Sequence, residues 1–184
     1  AHTGDRAVRG AQRLGDATER RARMIVLSFI NHPNLLHDFW DDFAGVDLGV
    51  TELDSVRALI LDAVSQEAAL EPEALKDHLT TRGFGDVLNQ LDTQARRLNE
   101  WFLGPAAAPD DARTGLRQMF ALHRKTVTLD RELKAAEVAF ANDPTEENLN
   151  ALSAVREELH STLGSEALVH GFGAASGRES DNNS

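Results

Sequence analysis

The sequence predicts an all-α protein: a bundle of about five to six helices, then a protruding antiparallel helical hairpin that shares one long helix with the bundle. Three observations carry this. No stretch alternates apolar and polar residues at period two for long enough to form a strand, and Tyr, a favoured strand residue, is absent. None of the five prolines needs to fall inside a helix. From Asp110 to Asn142 there is no Pro, and Gly115 is the lone Gly. Over that stretch Leu122, Leu129 and Ala136 repeat at heptad spacing beside Thr126, Leu133 and Phe140, giving one continuous face for a partner helix.

Residues 1–16 are rich in Gly, Arg, Ala and Asp without periodicity and are expected to be a linker from something longer. The opening Ala1-His2 carries no weight. The first helix, from about Thr18 to Asn31, is apolar almost all round through Met24, Ile25, Val26, Leu27, Phe29 and Ile30, which predicts a place near the bundle centre. Pro33 ends it by disfavouring helical geometry at His32. A second helix from Pro33 to about Val46 sets Leu36, Phe39, Trp40 and Phe43 against Asp38, Asp41 and Asp42. A third, from about Thr51 to Gln66, uses Thr51 as N-cap and buries Leu53, Val56, Leu59, Ile60, Ala63 and Val64. A short fourth runs from Pro72 to Arg82, with Leu75 and Leu79 inward and Gly83 as its stop. A fifth runs from about Gly85 to Phe102, after which Gly104-Pro105 to Pro109 breaks the pattern. The bundle is assigned to residues 17–115, the hairpin to 116–164, and a tail to 165–184, disordered after about 173.

In the hairpin the chain reverses through Asn142 to Glu146, with Asp143 as N-cap, Pro144 at the first helical position and Glu146 closing a capping box. The returning helix answers with Leu149, Leu152, Val155, Leu159 and Leu163. So short a turn makes the two helices antiparallel neighbours. Between Arg113 and Phe140 six basic residues face three acids, whereas between Ala141 and Glu166 Arg156 stands against six acids. A basic helix along an acidic one is self-consistent, although exposed pairs contribute only ~0–1 kcal/mol each. Two helices alone bury too little to be stable, so the hairpin either docks on the rest of the chain or is held by something else.

Composition narrows the function. At 41% hydrophobic the chain can fill a core. No Cys means no disulfide, no thiolate metal site and no cysteine nucleophile, which suits a cytoplasmic protein. No wholly apolar run exceeds four residues, the length of Met24 to Leu27, so none can span a bilayer, and the N-terminus has no signal-peptide core. The net charge of −11 argues against nucleic-acid binding, despite six arginines in the first thirty residues. No phosphate-binding loop, dinucleotide fingerprint, nucleophile elbow or HExxH is present. The seven histidines are expected at surface or capping positions, Asp38, Asp41 and Asp42 on a solvated face, and Trp40 and Trp101 in core packing. Gly83-Phe84-Gly85 and Gly171-Phe172-Gly173 read as helix terminators. An all-α metal-dependent hydrolase would need paired Glu-x-x-His motifs, and Glu157-x-x-His160 has no mate. No enzyme activity, metal or cofactor is expected. Ala167, Leu168, Val169 and Phe172 either fold back on their own helices or anchor a partner.

The stretch Arg23-Met-Ile-Val-Leu-Ser-Phe-Ile-Asn-His32-Pro33-Asn-Leu-Leu36 resembles the opening of the C-terminal domain of bacterial replicative primases, the DnaG family. Ala121 to Lys125, Leu129 to Glu137 and Asp143 to Leu149 are similar to the hairpin of alphaproteobacterial members, and Ser165 to Gly173 to their tail. The resemblance implies a bundle and hairpin joined by a long helix, which bind the N-terminal domains of the replicative helicase DnaB. It implies recruitment of primase to the fork, modulation of both enzymes, and no RNA synthesis by this piece. The alternative is the N-terminal domain of the helicase itself, against which Asn182-Asn183-Ser184 is expected to be a true terminus. Candidate contacts, chosen by position at the free element, are Arg156, Glu157, His160, Ser161, Leu163, Leu168 and Phe172. A monomer is expected.

Overall fold

The structure is a computed structural model describing residues 3–66, 71–98 and 103–175, with side chains described for 9–10, 12–66, 71–98 and 103–165. In chain order the elements are α1 (Thr3–Asn31), a 3-10 turn (Pro33–Leu35), α2 (Leu36–Gly45), α3 (Thr51–Ser65), α4 (Pro72–Leu79), a π-turn (Thr80–Phe84), α5 (Gly85–Leu98), α6 (Pro109–Asn142) and α7 (Glu146–Ala175). All are helical, as the absence of period-two alternation requires. The chain divides into two compact units, Ala1–Val127 and Thr128–Ser184.

The first unit is built around α1, which packs on α3, α4 and α5. Met24 to Leu27, Phe29 and Ile30 are all at most 1% exposed, so the all-round apolar character of this helix reflects burial on every side. Phe29 lies at the centre of an aromatic group, with ring centroids 4.3 Å from Phe43, 6.1 Å from Phe120 and 6.4 Å from Phe39. Ala112, Leu116 and Phe120 of α6 belong to the same core. For that reason the unit extends to Val127, and the expected boundary after residue 115 would cut through its packing.

Three local expectations change. Residues 3–16 form the first turns of α1, which therefore begins well before the expected Thr18. Ala and Arg are strong helix formers, Leu14 is 2% exposed, and Thr18 Oγ1 donates to the Leu14 carbonyl at 2.8 Å. Thr51 is the first helical residue of α3; Val50 occupies the cap position and makes no side-chain cap. The chain does not stop between α4 and α5 but kinks at Gly83, whose φ of +92° is open to glycine and strained for other residues. Helix α5 is described to Leu98; its expected end, with Trp101, lies outside the described residues.

The second unit holds the rest of α6 and all of α7. Leu129 and Leu133 of α6 and Leu152, Leu159 and Thr162 of α7 are buried, with Ala136, Phe140, Val155 and Leu163 half-buried. Spacings of three and four residues on both helices give the expected antiparallel seam. Leu149 departs from it and is 46% exposed, because Asn148 takes the inward position at the turn. Asn148 Nδ2 donates to the Asp143 carbonyl at 2.7 Å, and its backbone N–H donates to Thr145 Oγ1 at 3.2 Å. Thr145 is therefore the N-cap in place of Asp143, and no capping box forms through Glu146.

The tail reading is also corrected. Helix α7 continues through Gly164 to Ala175, and Gly171 and Gly173 lie within it. A single glycine in a helix costs only about 1 kcal/mol relative to Ala, and no proline follows to stop the chain. Residues 176–184 lie outside the described residues.

Candidate partner-binding site

The candidate residues lie on α7, which leaves one side free once Leu152, Val155 and Leu159 face the seam. Arg156, Glu157, His160 and Ser161 are all exposed, and Leu163 is half-buried beside the seam. Arg156 Nη2 reaches Glu137 Oε1 of α6 at 3.2 Å, an exposed cross-helix pair of small energetic weight. This pair runs against the gross charge of the helices, since it takes the base from α7 and the acid from α6. On α6, Asp130 accepts a hydrogen bond from Lys134 Nζ at 2.6 Å, and that contact raises the ammonium's pKa above its ordinary value.

Because α7 is one helix, positions 157, 161, 168 and 172 follow spacings of four and seven and share one line along it. Leu168 and Phe172 thus belong to the helix and not to a separate tail, although their side chains lie outside the described ones. Sequence reasoning did not single out Val138 (60% exposed) and placed Leu149 (46% exposed) in the seam; these are the large apolar side chains that the second unit leaves in water among its described residues. Both come within two turns of the 143–145 reversal. Val138 falls outside the heptad positions of α6, and that was the available signal.

Several polar residues have structural work. Asp38 and Asp42 of α2 pair with Arg113 and Arg124 of α6 at 2.9 and 2.5 Å, so they form ion pairs within the first unit. His32 is buried, with Nε2 2.9 Å from the Gly104 carbonyl, and Asn31 Nδ2 donates to the Leu103 carbonyl at 2.7 Å. His123 is 1% exposed. These two histidines are core residues, not surface ones. Trp40 is 38% exposed and so is not core packing, since Phe39 and Phe43 take the inward positions of α2. Among the described residues no group of three or more His, Asp and Glu side chains is placed to hold a metal ion, and no helix is long and apolar enough to cross a membrane.

Comparison of the chain with protein-family models, with curated proteins and with solved structures returns no match.

Proposed function

We propose that this chain is a non-catalytic, monomeric interaction domain of a bacterial, cytoplasmic DNA primase that binds the N-terminal domain of the replicative helicase. In this reading binding brings primase to the replication fork and modulates both enzymes. The observation that carries it is the second unit: a compact antiparallel hairpin whose longer arm, α7, keeps Arg156, Glu157, His160 and Ser161 in water along a 30-residue helix. A helix with one face buried and the other polar and ordered suits recognition by another helical surface. The resemblance of residues 23–36, 121–125, 129–137, 143–149 and 165–173 to the helicase-binding domain of primases supplies the partner.

Titration calorimetry against the helicase N-terminal domain of the same organism tests it. A dissociation constant of about 10 μM or tighter is expected. Glu157→Arg, on the exposed line of α7, should weaken binding by roughly tenfold or more. Absence of binding, or binding unchanged after removal of residues 141–173, refutes the reading.

A further inference from the structure

In the first unit, α6 is fastened by polar contacts set among apolar neighbours. Arg21 of α1 is 3% exposed, and its Nη1 donates to Thr126 Oγ1 at 3.2 Å. The Thr126 hydroxyl donates to the Leu122 carbonyl at 2.7 Å. One turn back on the same side of α6, His123 Nε2 lies 2.5 Å from the Asp47 carbonyl in the loop between α2 and α3. A carbonyl can only accept, so Nε2 carries the hydrogen and Nδ1 is the basic atom of the ring. Nδ1 is buried and has no hydrogen-bond partner among the described residues.

The charged groups around the ring are the Arg21 guanidinium from α1 and the Asp47 carboxylate from the loop. Asp47 Oδ1 accepts the Gly49 N–H at 3.1 Å. Arg57 of α3, paired with Asp54, donates to the adjoining Val46 carbonyl. Arg124, the next residue of α6, is held outward by Asp42.

We propose that His123 makes this fastening acid-labile: while neutral, the ring holds the last turns of α6 in the first unit, and protonation at Nδ1 loosens residues 120–127. A proton there places a second cation beside Arg21 and leaves a buried N–H with no acceptor among the described residues. Burial is the main force holding the ring's pKa below its ordinary value, with the Arg21 charge adding to it and the Asp47 carbonyl and carboxylate opposing it. The unfolded chain has an ordinary histidine and binds the proton first as pH falls. Stability is therefore intact above about 6.5 and declines below it until the folded ring also titrates. Because α6 runs on past Val127 into the second unit, the device acts on the helix from which the hairpin is made.

The test is hydrogen exchange on the full chain at about pH 7.5 and about pH 5.5, corrected for intrinsic rates, with an NMR titration of the histidine rings. Protection at residues 120–127 should fall by roughly threefold or more relative to α3 on acidification. The loss should persist in His37→Gln, an exposed-histidine control, and disappear in His123→Gln. The His123 ring in the unsubstituted chain should titrate below the ordinary histidine value of about 6.5, a measurement that stands even if His123→Gln does not fold. Equal losses of protection in the chain and in His123→Gln, or a His123 midpoint at or above about 6.5, overturns the proposal.

Discussion

Single side chains divide into those whose burial follows from local pattern and those whose role depends on a distant partner. Phe29 is of the first kind, apolar within an apolar helix and 0% exposed between Phe39, Phe43 and Phe120. Phe29→Ala should cost about 3–5 kcal/mol in chemical denaturation, because no neighbour can fill the space of a ring gripped from three sides. Asn31 is of the second kind. Its amide donates to the Leu103 carbonyl, 72 residues away, and nothing near Asn31 in the chain signals that bond. Asn31→Ala removes the donor and leaves that carbonyl without it, so a loss of about 1–3 kcal/mol is expected by the same measurement.

Among the elements, α7 and the α4–α5 junction show how helical periodicity succeeds and where it falls short. The α7 apolar positions sort as a helix requires, except that Leu149 and Leu159 look equivalent in sequence while one is 46% and the other 7% exposed. Leu159→Ala should therefore destabilise the second unit by about 2–5 kcal/mol. Leu149→Ala should stay within about 0.5 kcal/mol, as for an ordinary surface change. Thermal melts followed by circular dichroism separate the two. At the junction, Gly83 adopts φ +92° with open space where a Cβ would lie, so Gly83→Ala is opposed by backbone conformation and not by a clash. It should cost about 1–2 kcal/mol. A glycine in sequence announces a break, but whether the chain stops or kinks straight into the next helix depends on what α4 and α5 pack against.

At the scale of the whole molecule, the position of the division matters most. The core of the first unit recruits Leu116 and Phe120 from α6, and the buried polar contacts of His123 and Thr126 follow. A fragment ending at Val127 should therefore unfold cooperatively by itself, whereas one ending at Gly115 should lose its cooperative transition because the α6 part of the core is missing. A fragment 1–115 melting as sharply as 1–127 would contradict this division. The isolated stretch 128–175 should be marginal in water, since two helices bury little surface.

The sequence by itself determined the helical class, the order of the helices, the turn at 143–145 and most of the apolar seam. These follow from short-range rules: side-chain periodicity, proline and glycine placement, and the reach of a tight reversal. It misread residues 3–16 and 165–175, where helix-compatible but weakly patterned segments took helical form. Only the tertiary structure decided that His32 and His123 are buried, that Asp38 and Asp42 pair across to α6, and that α6 belongs to the first unit as far as Val127. Each of these joins residues some 70 or more positions apart, and local periodicity carries no information about which distant surface a helix will meet.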